Sequence, residues 1–239
     1  MRNLPDDIVA SAIRDRADLY AFLGNAFLEE LDEETVLELN ANSEASLESV
    51  PEELRENAEP LEGAAYLQSF SSDFVDMDED ERATVLEELA GSFGTLFLMD
   101  TGRSVTPIQS VYAGDGTMYG ESYTRVKKIM RELNYDGFDD VSEPADHVGV
   151  ELDFMAFLGR AAYDNYREEN FEYASRYLNL QREFVEKHMA KWVSSMCHDV
   201  QERSDSAFYQ AIAQLTDAMV EGEPEFAESV KAELPTSPA

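Results

Sequence analysis

The sequence predicts an all-α fold, and three observations predict it. Apolar residues recur at helical steps of three and four through most of the 239 residues, no segment shows the alternation of a half-buried strand, and capping residues, prolines and glycines punctuate the periodic stretches. No period repeats, so the expectation is one compact helical domain over residues 1–220 rather than a solenoid. Residues 221–239 read as a loose acidic tail.

After Pro5, Asp6 or Asp7 can cap a long first helix that ends near Glu30, with Ile8, Ala12, Leu19, Leu23, Ala26 and Phe27 on its buried face. Asp32 can cap a short second helix through Leu39. Ser43 to Pro60 is a polar connector in which Pro51 and Pro60 suit helix starts. Leu61 to Phe74 can form a helix, and Asp76 or Asp78 can cap the next, which reaches Leu98 through Val85, Leu89, Phe93, Leu96 and Phe97 and ends in an aromatic turn. Met99 to Thr117 breaks the rhythm with Gly102, Pro107, Gly114 and Gly116, and a loop of that length usually serves function. Met118 to Leu133 is helical again through Tyr123, Val126, Ile129 and Met130. Asn170 can cap one long helix from Phe171 to Trp192, with Tyr177, Gln181, Phe184, His188 and Trp192 in a stripe that reads as core, and Asp205 can cap the last through Phe208, Ile212, Leu215 and Met219.

Between these lies the densest stretch, Val141 to Leu158. Pro144 suits the first turn of a helix, and Ser142, Glu143 and Asp146 are partners for its free N-terminal amides. Val148, Leu152, Met155, Gly159, Ala162 and Tyr166 then recur at alternating steps of four and three, with Phe154, Phe157 and Ala161 as a second stripe. A helix so apolar is central to its domain. Glu143, His147 and Glu151 fall four apart beside Asp146, which places a titratable cluster where the central helix is expected to meet water and makes that junction the candidate site.

Composition bounds the function. A hydrophobic content of 44% with 10% aromatics supports a folded core, whereas 51 acidic against 18 basic residues gives a formal charge of −33. Acidic residues spread along the whole chain, with only five lysines, point to a salt-rich cytoplasm, where a screening length of about 3 Å at 1 M salt removes most self-repulsion. The charge argues against nucleic acid and against anionic membrane surfaces. The single Cys197 excludes an internal disulfide, and the chain lacks a leader or long apolar segment, so a soluble cytoplasmic protein without stable membrane insertion is expected.

The sequence Glu143-Pro144-x-Asp146-His147, followed by Glu151-Leu152-x-Phe154-Met155-x-x-Leu158, resembles the signature of the TorD/DmsD (NarJ-like) family, all-helical cytoplasmic chaperones that mature molybdenum-cofactor enzymes before twin-arginine export. Three further pieces match in the same order: Leu96-Phe97 before the long loop; Pro107-x-x-Ser110-Val111-Tyr112 followed by Gly120-Glu121-Ser122; and Gln181-x-x-Phe184-x-x-x-His188-x-x-x-Trp192. The resemblance covers roughly Phe93 to Trp192, and the N-terminal third matches only as helices. It implies a protein, monomeric or dimeric, that binds the twin-arginine signal peptide and the apo catalytic subunit of a dimethyl sulfoxide, trimethylamine N-oxide or nitrate reductase type enzyme. It also implies no catalysis and no cofactor beyond weak guanine-nucleotide binding. The peptide-binding positions it implies are Phe93, Leu96, Phe97, Tyr112, Gly120, Glu143, Pro144, Asp146 and His147. The chemistry agrees, because paired arginines followed by an apolar stretch need carboxylates beside an apolar groove. Glu143, Asp146 and Glu151 suit the arginines and Phe93, Leu96 and Phe97 the apolar part, with His147 orienting Asp146 or tuning the pocket.

Two other readings remain. A helical adaptor would bind its partner without regard to the arginines. A metal-dependent enzyme would use Glu143, His147 and Glu151, but the residues three before His147, His188 and His198 are Pro144, Val185 and Ser195, so the Glu-x-x-His repeat of a bundle di-metal site is absent.

Overall fold

The computed structural model describes residues 4–39, 62–100, 102–114, 118–139 and 141–235, so the helix starts expected at Pro51 and Pro60 lie outside the described residues. Those described form ten α-helices and no strand; one isolated bridge joins Ile108 to His147. The helices are α1 (Asp6–Leu28), α2 (33–39), α3 (Glu62–Asp76), α4 (Glu79–Phe93), α5 (Gln109–Tyr112), α6 (Glu121–Glu132), α7 (Val148–Arg167), α8 (Phe171–Lys187), α9 (Val193–Arg203) and α10 (Ala207–Glu233).

The stretch expected to be central is central. Helix α7 buries Val148, Leu152, Met155 and Gly159 along one stripe and Phe154 on another, and its most extensive partner is α1. The two run antiparallel, because Gly149 meets Gly24 near one end and Gly159 meets Ala17 further along. A methyl on Gly149 would come within 2.8 Å of the Gly24 carbonyl oxygen and 2.5 Å of Leu28 Cγ, so only glycine permits this approach. Helix α8 also packs on α7, meeting it beside α1 at Gly159, and α9, α10 and α3 complete the shell.

Capping resolves several boundaries. Thr35 N donates to Asp32 Oδ1 at 2.9 Å, so Asp32 starts α2 as expected. Asp78, not Asp76, caps α4 in a reciprocal box: Glu81 N donates to Asp78 Oδ1 at 2.9 Å and Asp78 N to Glu81 Oε2 at 3.0 Å. Pro5 occupies the cap position of α1, so Asp6 and Asp7 act from the first turn, through the helix dipole. Asn170 sits at the start of α8 without capping it and bonds Glu168 instead, while Ser206, not Asp205, precedes α10.

Two expectations are corrected and one is refined. The helix expected to run unbroken from Phe171 to Trp192 ends at Lys187; the chain turns at His188 through a 3-10 turn, Met189–Lys191, before α9. The turn brings both Met189 and Trp192 into the interior. The helix reaching Leu98 finishes as a π turn, Gly94–Leu98, which turns Phe97 onto Phe93, Phe27 and Tyr209 at 5.3, 5.7 and 5.8 Å, edge to face. The tail expected over 221–239 is, as far as residue 233, the second half of α10, carried through Pro224. Ala227 and Val230 complete a second core cluster with Val9, Ile13, Ala162 and Leu178, and the fully buried Glu223 accepts from Arg16 Nε at 2.6 Å and from the Tyr20 hydroxyl at 2.7 Å. Sequence polarity suggested a solvated tail because the buried positions there are small or ionic.

Candidate functional site

Helix α7 begins at Val148, so Pro144 lies before the helix and not, as expected, in its first turn, and the cap is His147, whose Nδ1 accepts from Gly149 N at 3.2 Å. Glu143 lies on the bend before the helix, so the expected helical row of Glu143, His147 and Glu151 does not form. Pro144 serves a turn instead: its carbonyl accepts from His147 N at 2.9 Å.

That turn is fastened to the long loop. Gln109 N donates to the Asp146 carbonyl at 2.8 Å, Ser110 N to Asp146 Oδ2 at 3.0 Å, and Val148 N to the Pro107 carbonyl at 2.8 Å. Asp146 therefore receives the amide of a neighbouring segment and not, as expected, an amide of its own helix. Helix α5 is further tied down by Gln109 Nε2 on the His188 carbonyl at 3.3 Å and by the Tyr112 hydroxyl on Asp199 at 2.9 Å.

The corner is dry. Asp146 and Glu151 are 0% exposed and His147 3%. Burial raises the Glu151 carboxyl well above its usual range, the negative Asp146 adds to the shift, and the nearby Trp192 indole eases it without reaching hydrogen-bond geometry. Burial lowers His147 to about 4, so it is neutral at pH 7 and its Nδ1 is free to accept the cap bond. These are groups that organise a core; of the three carboxylates expected to meet a partner's arginines from water, Asp146 and Glu151 are inside.

The ten positions therefore separate. Phe93, Leu96, Pro144, Asp146, His147 and Glu151 are buried; Phe97, Tyr112, Gly120 and Glu143 reach the surface in part. Leu96 alone of them lines a groove of about 610 Å³ between α3, α4 and the junction of α9 with α10. Its floor is aromatic: Tyr66 and Phe70 of α3 line it with ring centres 6.2 Å apart, Phe70 meets Phe208 edge to face at 4.9 Å, and Phe74 packs on Phe70 at 6.1 Å in the interior. Val85 and Leu89 face it from α4, and Glu88, Asp205, Arg103 and Arg203 edge it. Arg103 pairs with Asp205, and Arg203 with Asp199 at 3.3 Å, which leaves Glu88 as the rim carboxylate without an ion pair among the described residues. Sequence reasoning missed this groove, although the four-residue spacing of Tyr66, Phe70 and Phe74 was a signal of it. Among the described residues no group of three or more histidines, cysteines or carboxylates could hold a metal ion.

A family described as nitrate reductase delta subunit matches residues 47–198. Chaperone protein TorD of Vibrio cholerae is 25% identical over 211 residues, covering 86% of this chain and 89% of that protein. Those of Shewanella piezotolerans and Vibrio atlanticus are 26% and 29% identical, covering 88% and 84% of this chain and 91% and 88% of theirs. A crystal structure of a putative redox enzyme maturation protein from Archaeoglobus fulgidus superposes with a TM-score of 0.48 at 19% identity, over 86% of this chain and 93% of that one.

Proposed function

The chain belongs to the nitrate reductase delta subunit family, and on that premise we propose that it is a molybdoenzyme maturation chaperone that holds the twin-arginine signal peptide of its client in the cytoplasm until the cofactor is in place. Its relatives are named as chaperones, and no reaction is assigned to it. Among the described residues no helix is long and apolar enough to cross a membrane.

The observation that carries the signal-peptide reading is the groove. An aromatic floor, open to water and edged by Glu88, has the two halves such a peptide requires: apolar surface for its hydrophobic stretch and a carboxylate for a guanidinium. Leu96 lines this groove, with Phe93 and Phe97 packed behind it in the aromatic cluster, and Glu143 offers a second, partly exposed carboxylate. In this reading Asp146 is a positioning residue, whose carboxylate and carbonyl hold the Pro107–Tyr112 segment against the start of α7, and His147 caps that helix, with Glu151 buried in its first turn.

Calorimetric titration with a twin-arginine signal peptide, in about 1 M potassium chloride to suppress non-specific attraction, tests the proposal. Saturable binding is expected, weakened when both arginines are alanine and about tenfold weaker for Glu88→Gln combined with Tyr66→Ser, a change of about 1.4 kcal/mol. Equal binding of the alanine peptide would transfer the chain to the adaptor reading.

A further inference from the structure

Helix α6 is where the charge of the molecule reverses. Four of the 18 basic residues, Arg125, Lys127, Lys128 and Arg131, fall on its 12 residues, in a chain of formal charge −33. Lys187, at the end of α8, and Lys191, in the turn that follows, flank His188, whose carbonyl accepts at 3.3 Å from Gln109 Nε2 on α5, the helix that packs against α6. Burial, and then the charges of Lys191, Arg125 and Lys187, hold the His188 imidazole down to about 4. These cations are open to water: the side chains of Arg125, Lys128 and Lys187 are 55%, 74% and 62% exposed. Lys127, Arg131 and Lys191 form no ion pair with a carboxylate among the described residues, and Arg125 and Lys128 have only loose neighbours on their own helix, Glu121 at 3.5 Å and Glu132 at 3.7 Å.

Aromatic surface runs alongside. Tyr119, Tyr123, Lys127 and Arg131 recur every four residues. The two tyrosine rings meet edge to face at 5.0 Å, Lys127 Nζ donates to the Tyr123 hydroxyl at 2.8 Å, and Lys127 and Arg131 lie 4.9 and 5.7 Å from the Phe138 ring centre. Tyr119 is held at φ 65°, a left-handed conformation that bulky side chains avoid, and remains 58% exposed beside Met118 at 46%.

We propose that this strip docks an acidic segment of a protein partner, whose carboxylates meet Arg125, Lys128 and Lys191 and whose apolar side chains lie on Met118 and Tyr119. Charge complementarity selects that occupant. A paired-arginine peptide is repelled here, so the strip serves a different part of a partner from the groove. Nucleic acid and anionic membrane, being extended polyanions, meet the field of the remaining acidic surface, whereas a short segment touches only the island.

The test is fluorescence anisotropy on the full chain with a labelled peptide of alternating glutamate, aspartate and leucine and with its glutamine and asparagine counterpart. Potassium chloride is raised from the lowest concentration at which circular dichroism shows the fold intact. Saturable binding of the acidic peptide alone is expected, about tenfold weaker and less salt-dependent in Arg125→Gln/Lys128→Gln/Lys191→Gln and unchanged in Arg176→Gln on α8. Should the triple variant fail to fold, Lys191→Gln alone must still weaken binding. Failure of the acidic peptide to bind, equal binding of the neutral one, indifference to these substitutions, or binding of phosphatidylglycerol vesicles or duplex DNA in its place would overturn the proposal.

Discussion

At the scale of single residues, the buried corner has opposing responses to pH. His147 and His188 have folded values lowered from 6.5 to about 4, so the unfolded chain binds more protons between those values and stability is lost as pH falls through that window. Glu151 is the reverse case: its folded value lies well above the ordinary 4.5, so the cost of keeping it neutral is absent below 4.5 and grows as pH rises. Glu151→Gln keeps the shape and removes the titration. Thermal unfolding of the variant should match the parent below pH 4.5 and occur at an increasingly higher temperature above it. A constant offset at every pH would mean that Glu151 is ionised in the fold. The sequence singled out Asp146, His147 and Glu151 as a cluster, and they are one; it could not show that Ser110 and Gln109, more than 30 residues away, would be drawn onto Asp146.

At the scale of elements, the second half of α10 belongs to the domain. The Arg16–Glu223 pair, with the Tyr20 hydroxyl as a further donor, fastens it to α1, and Arg16 also lies 4.4 Å from the Phe226 ring centre. Removing one partner of a buried pair strands the other, so Glu223→Ala should cost about 3–5 kcal/mol in denaturant unfolding. A change near zero would restore the loose-tail expectation. At the same scale, the helix expected from Phe171 to Trp192 breaks at His188, and the 3-10 turn that follows redirects the chain into α9 with Met189 and Trp192 both buried. Helix starts marked by Asp32 and Asp78 were legible because a cap is a local bond, formed within three residues of sequence.

At the scale of the whole molecule, a charge of −33 opposes the compact state by self-repulsion, and salt relieves it. The midpoint of thermal unfolding should climb steadily as potassium chloride is raised to about 1 M, where the screening length falls to roughly 3 Å. A flat or falling profile would sink the expectation of a salt-rich setting. By itself the sequence determined the helical class, the centrality of the helix from Val148 to Arg167 and the family, because apolar periodicity and short motifs are written in neighbouring residues. Only the tertiary structure decided which charges face water. Periodicity tells which side of a helix is apolar, not what lies over its end. Here the Pro107–Tyr112 segment closes over the start of α7, enclosing Asp146 and Glu151, which the sequence had placed at the surface, while Gln109 on the same segment ties α5, and with it α6, to the His188 turn that Lys187 and Lys191 flank. Both outcomes depend on contacts between residues distant in sequence, and no local pattern encodes them.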